Sequence, residues 1–85
     1  MTIKIEVRYF AALREQLGAA QSVELAQACS VGDLRDQLIA SSSDHAQALS
    51  RAKALRCALN KTLCAETAVL SDGDELAFFP PVTGG

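Results

Sequence analysis

Thr2-Ile3-Lys4-Ile5-Glu6-Val7-Arg8-Tyr9-Phe10 alternates residue by residue. Ile3, Ile5, Val7 and Tyr9 fall on one face of an extended chain, and Lys4, Glu6, Arg8 and Phe10 on the other. A period of two with one apolar face predicts a half-buried strand. Beyond it, Ala11 to Leu17 carries Leu13 and Leu17 four apart, and Gly18 follows. That spacing predicts a short helix closed by a glycine cap. Gln21 to Leu25 alternates again, with Val23 and Leu25 apolar, and predicts a second strand.

Ser30 and Asp33 form a capping-box-like pair, with Asp in place of the usual Glu. Val31, Leu34 and Leu38 recur at i, i+3 and i+7, one buried stripe of a helix that Ser41-Ser42-Ser43 ends. A second helical piece is expected over about Asp44 to Ala52, in a Ser/Ala/Gln-rich region suited to a variable surface loop. Leu55, Cys57 and Leu59 face one way along a third strand, Leu55 to Leu59. Asn60-Lys61-Thr62 reads as a tight turn, because Asn tolerates a left-handed backbone, and Leu63 to Ala65 as a short return strand. Ser71-Asp72-Gly73-Asp74 is another turn, in which Asp72 and Asp74, with the following Glu75, serve the turn itself. Glu75 to Phe79 is the last strand. The order predicts an α+β protein, a mixed sheet with one main helix packed across one face.

Eighty-five residues suit one thin-cored domain, since so short a chain buries only about 60% of its unfolded surface. The expectation is a single domain over 1–85, with 80–85 as an extended C-terminal tail. Apolar residues make up 49% of the chain, and the net charge is -2. No basic stripe invites nucleic acid. The N-terminus shows no charged segment followed by an apolar one, and no apolar run approaches the roughly 18 residues of a membrane span. A cytoplasmic protein without a membrane partner is expected. Cys29, Cys57 and Cys64 are odd in number and lack CxxC spacing, which argues against a disulfide framework or a zinc site; they read as structural thiols. The lone His45 cannot build a metal site and reads as a solvated surface residue. No Ser/His/Asp or Cys/His constellation and no phosphate-binding glycine loop is visible. No metal and no bound cofactor are expected.

The chain ends Phe79-Pro80-Pro81-Val82-Thr83-Gly84-Gly85. Two prolines stop the last strand, since neither donates a ladder hydrogen bond, and Pro80 holds Phe79 extended. The six residues after the strand reach about 20 Å at roughly 3.3 Å each. The tip has no side chains beyond hydrogen, so it fits a channel that any Cβ would block. A terminal carboxyl ionises near pH 3.5 and is then a poor electrophile. It becomes reactive when an ATP-using partner adenylates it, and the acyl-adenylate can accept sulfur to give a thiocarboxylate. Such a protein supplies reach and orientation rather than acid-base side chains.

Asp72-Gly73-Asp74-Glu75 and Phe78-Phe79-Pro80-Pro81-Val82-Thr83-Gly84-Gly85 resemble the end of the molybdopterin synthase sulfur-carrier (small) subunits, of the ubiquitin-like ThiS/MoaD family. Tyr9-Phe10-Ala11-Ala12-Leu13-Arg14-Glu15 resembles that family's first strand-to-helix junction, and Asn60-Lys61-Thr62-Leu63 its internal hairpin. The resemblance is weakest from Gly18 to Ala54, and Tyr9 stands where Phe is common. It implies a β-grasp (ubiquitin-like) roll with the first and last strands side by side and parallel. It also implies a cycle. An E1-like adenylyltransferase spends ATP to activate Gly85, and a sulfurtransferase system loads sulfur there. The large synthase subunit, which carries the catalytic side chains, then uses two such sulfurs to convert precursor Z into the molybdopterin dithiolene. Two small and two large subunits make the implied heterotetramer, and the chain is no enzyme on its own.

The strand faces add a partner surface. If Tyr9 and Phe78 point inward, Phe10 and Phe79 point outward near the root of the tail, and exposed apolar clusters mark binding surfaces. Phe10, Leu63 and Phe79 are expected to dock on the partner, with a minor role for Arg14, while Pro80, Pro81, Val82, Thr83 and Gly84 enter its site. The alternatives are a thiamine-type sulfur carrier, a ubiquitin-like protein modifier joined to lysines, or a plain interaction module with an inert tail.

Overall fold

The computed structural model describes residues 2–81. Its elements run β1 (Ile3–Tyr9), α1 (Ala12–Leu17), β2 (Ala20–Leu25), α2 (Val31–Ser41), α3 (Ser43–Ala48), β3 (Arg56–Leu59), β4 (Thr62–Cys64) and β5 (Glu75–Phe79). The five strands form one sheet in the order β2-β1-β5-β3-β4. β1 pairs antiparallel with β2 and parallel with β5, and β3 pairs antiparallel with both β5 and β4. The sheet is therefore mixed, and its first and last strands lie side by side at the centre.

The alternation read in β1 decides which face is inside. Ile5, Val7 and Tyr9 are buried, while Lys4, Glu6, Arg8 and Phe10 are exposed. Leu76 and Phe78 of β5 continue the same inner face, and the Tyr9 and Phe78 rings stack 6.5 Å apart. Val31, Leu34 and Leu38 close the core from α2. The Ser30 hydroxyl accepts from the Asp33 amide at 3.1 Å and the Asp33 carboxylate accepts from the Ser30 amide at 3.4 Å, so the capping box is complete.

The middle of the chain departs from its reading. The serine run does end α2, but Ser42 also caps the next helix, its hydroxyl accepting from the His45 amide at 3.1 Å. That helix spans Ser43–Ala48 rather than 44–52, and packs against both α2 and α1. His45 is not a solvated surface residue. It is half-buried, with Nε2 2.8 Å from Gln21 Oε1 and Nδ1 2.6 Å from the Ser42 hydroxyl. Gln21 Oε1 already accepts from the Tyr9 hydroxyl at 2.6 Å. Being an acceptor only, it fixes Nε2 as the His45 nitrogen that carries hydrogen. The chain Tyr9–Gln21–His45–Ser42 thereby ties α3 to β1 and β2. Burial pushes the Tyr9 phenol up to about 12.

Arg35, on the inner side of α2, is 3% exposed and was invisible to the apolar stripe. Its guanidinium donates to the carbonyls of Leu49 (2.9 Å), Ser50 (2.7 Å) and Lys53 (3.1 Å) and to Glu66 Oε2 (2.7 Å). Four acceptors satisfy a buried charge and hold the 49–53 loop in place. Arg51 reaches Glu66 from the other side. Burial pushes the Glu66 carboxyl up, but its hydrogen bonds to Arg51 and Arg35 outweigh burial and hold it below its ordinary value.

Candidate functional site: the outer sheet face and the root of the tail

The site begins with where β5 lies. Its parallel register sets Arg8 beside Ala77 and Tyr9 beside Phe78, and the Phe10 amide donates to the Phe78 carbonyl at 3.2 Å. Since neighbours on a sheet share a face and successive residues alternate, Phe10 and Phe79 are sent outward together. On the other side of β5, Ala58 of β3 pairs with Ala77, and Leu63 of β4 pairs with Ala58. Arg8, Ala77, Ala58 and Leu63 thus form one lateral row on the outer face. The two alanines at its centre leave a floor without side-chain bulk. A hollow of about 440 Å³ lies over it, floored by Ala58 and Ala77, walled by Phe10 and Phe79 and rimmed by Arg8, Lys61 and Glu75.

Phe10 is 45% exposed and Leu63 64% exposed. Phe79 is only half-buried, so the expected pair of exposed rings is one open ring and one partly covered ring. Arg14 sits exposed on α1 and does not wall the hollow.

Two turns hold this face in register. Asn60 and Lys61 both take a left-handed backbone, φ 51° and 70°. The loop is therefore a two-residue hairpin of the primed type, and Thr62 already belongs to β4. Asn60 also clamps β5: its Oδ1 accepts from the Glu75 amide at 3.0 Å and its Nδ2 donates to Asp74 Oδ1 at 3.1 Å. At the other turn, Asp72 Oδ1 accepts from the Lys4 amide at 2.7 Å and Asp74 Oδ2 from the Ser71 amide at 2.8 Å. Asp72 and Asp74 do serve the turns and fix where β5 starts beside β1, whereas the Glu75 side chain faces the outer hollow. At the far end of β1, Ala11 is held at φ 56°, ψ -132°, inside a turn closed from the Leu13 amide to the Phe10 carbonyl at 3.2 Å. That backbone suits glycine far better than alanine, and it turns the chain away directly after the Phe10 ring.

β5 ends at Phe79, and Pro80, half-buried, takes the chain off the sheet. Pro81 is exposed and borders a groove of about 380 Å³ whose wall includes Arg56, Cys57, Leu63, Cys64 and Glu66. Pro80 and Pro81 therefore leave a central strand, between the outer hollow and this groove. Val82, Thr83, Gly84 and Gly85 lie outside the described residues. Among the described residues every buried side-chain nitrogen and oxygen has a hydrogen-bond partner, and no three His, Cys, Asp or Glu side chains gather as metal ligands. No described helix is long and apolar enough to cross a membrane.

A mixed five-stranded sheet with β1 and β5 parallel and side by side, and one face covered by a capped helix, defines the β-grasp, ubiquitin-like class. Residues 7–85 match the ThiS family, and the chain belongs to that family. It is 44% identical over 81 residues to the molybdopterin synthase sulfur carrier subunit of Escherichia coli, covering 95% of this chain and 99% of that one. A crystal structure of the small archaeal modifier protein 1 of Haloferax volcanii superposes with a TM-score of 0.74 at 29% identity, covering 94% and 99% of the two chains. The complex of subunits 1 and 2 of the molybdopterin-converting factor from Helicobacter pylori contains a chain matching with a TM-score of 0.66 at 26% identity, covering 98% and 100%.

Proposed function

We propose that this chain is the sulfur carrier subunit of a molybdopterin synthase. The observation that carries the reading is the delivery of Phe79-Pro80-Pro81 by a central strand, beside the outward Phe10 ring, in a chain 44% identical along its length to the E. coli carrier. Phe10, Phe79 and Leu63 bury their apolar surface against the large subunit. Proximity of that anchored face to the tail root then turns delivery of the tip into an intramolecular event. Pro80 and Pro81 start the tail in a restricted direction, and Val82, Thr83 and Gly84 thread into the partner's site. Gly85 takes the chemistry: its carboxylate is adenylated by an E1-like enzyme with ATP, receives sulfur from a sulfurtransferase system, and gives that sulfur to precursor Z. The catalytic side chains belong to the large subunit, in a complex of two small and two large chains in the cytoplasm.

A second reading, a protein modifier joined to lysines through the same activated Gly85, is favoured by the likeness to the archaeal modifier. Reaction of the sulfur-loaded chain with the cognate large subunit and precursor Z separates the two. Dithiolene product with no higher-mass lysine adducts is expected. Adducts without product would move the chain to the modifiers, and a loaded tail that yields neither would leave a carrier of another, thiamine-type pathway.

A further inference from the structure

Cys57 and Cys64 take no part in the chemistry above. They are register partners across the β3–β4 hairpin, and their sulfurs lie 3.6 Å apart. Directly opposed antiparallel residues keep their Cα atoms about 4.5–5.5 Å apart, within the span of about 4.4–6.8 Å that disulfides use. Closing the pair to a bond of about 2.05 Å needs only torsional adjustment of two side chains on a short edge hairpin. Both cysteines wall the groove that Pro81 borders, so the pair is open to a small reagent from one side. The two differ in access: Cys57 is 5% exposed, whereas Cys64 is half-buried. Burial, then the contact with Cys64, pushes the Cys57 thiol up to about 12, which makes it a poor first nucleophile. Cys29 sits elsewhere, in the segment before α2, and burial raises its thiol too.

We propose that Cys57 and Cys64 form a redox-modification site, a thiol pair that small-molecule disulfides of the glutathione type convert reversibly into a cross-strand disulfide. Cys64 is the entry thiol. Its thiolate attacks one sulfur of the oxidised tripeptide, forming a mixed disulfide and expelling one glutathione thiolate. That thiolate takes up, through solvent, the proton that Cys64 gave up on ionising, and the Cys57 proton passes through solvent to the second leaving thiolate. The Cys57 sulfur then attacks the Cys64 sulfur, forming the protein disulfide and releasing the second glutathione. The protein loses two electrons and two hydrogens, and the reagent gains both. The bond would fasten the hairpin that carries Leu63, and excess thiol would reverse it.

The test exposes the folded, full-length chain to oxidised glutathione, blocks remaining thiols with an alkylating reagent, and reads the intact mass and a tryptic map. Trypsin cuts after Arg56 and Lys61, so the two cysteines fall on separate peptides joined only by the new bond. An intact mass equal to the untreated chain plus one alkyl group less about two mass units, a Cys57–Cys64 linked peptide pair, alkylated Cys29 and full reversal by dithiothreitol are expected. Cys57→Ser should stop at one glutathione held on Cys64, and Cys64→Ser should leave Cys57 unmodified. A wild-type chain that keeps glutathione on Cys64 without linkage, links either cysteine to Cys29, or fails to react overturns the proposal.

Discussion

Truncating the outer face should separate binding from folding, and exposure sets how far. Fully burying a Phe or Leu side chain is worth about 1.5–3 kcal/mol. Phe10 is 45% exposed and Leu63 64% exposed, so covering what remains open contributes about 1 kcal/mol for Phe10 and about 1.4 for Leu63. The double variant Phe10→Ala, Leu63→Ala should therefore weaken association with the large subunit by about 2.4 kcal/mol, roughly 60-fold in Kd. The surface these residues already bury is worth about 2 kcal/mol of folding. A chain of 85 residues holds about 4–13 kcal/mol in total, so the fold survives. Calorimetric titration against the purified large subunit, with a denaturant melt of each variant, measures both quantities. An unchanged Kd in a folded double variant would show that this face is not the anchor.

Three further outcomes follow from the body of the fold. Arg35→Ala takes the buried donor from the Leu49 and Lys53 carbonyls and leaves Glu66 to Arg51 alone, and should cost about 1–3 kcal/mol in a urea melt, whereas Arg14→Ala, on an exposed helix surface, should change stability by under about 0.5 kcal/mol. Ala11→Gly relieves a positive-φ backbone and should raise stability by about 1 kcal/mol in the same assay, with the Phe10 ring still in place. Tyr9 is the one tyrosine, so absorbance at alkaline pH reports it alone. Its midpoint should fall near 12 rather than 10. Because the folded chain resists ionisation longer than the unfolded one, the Tyr9 contribution should be constant below pH 10 and fall as pH rises from 10 to 12, steepening a decline that the raised Cys57 and Cys29 thiols begin near pH 9.

The fold was legible where side chains alternate or recur with a clean period. β1, α1, the α2 stripe and β5 were read nearly to the residue, since each carries one apolar face and three of them have a physical stop: Gly18 after α1, Ser30 with Asp33 before α2, and Pro80 after β5. The hairpin was read one residue late, because Thr62 gives no sign of whether it belongs to turn or strand. The region from Ser41 to Lys53 was the least legible. Its order rests on long-range hydrogen bonds from Arg35 and His45, and a polar side chain announces nothing about a partner 15 or more residues away. The outer face was half legible: alternation sent Phe10 and Phe79 outward, but the small floor of Ala58 and Ala77 emerges only once the register of β3, β5 and β1 is known. A signal for it was present in the two alanines standing at outward positions of otherwise bulky strands. The Cys57–Cys64 contact was hidden for the same reason, since seven residues of separation become direct opposition only through the hairpin.

The proposed sulfur transfer depends on the last carboxyl group of the chain rather than on any side chain of the body. Its most direct test is the intact mass of the protein purified after co-expression with an E1-like activating enzyme and a sulfurtransferase, with fragmentation to locate any change. A gain of about 16 Da from oxygen-to-sulfur exchange, confined to Gly85 and lost on hydrolysis, is expected. Sulfur found on Cys29, Cys57 or Cys64 instead, with Gly85 unmodified in protein that still supports dithiolene synthesis, would contradict it.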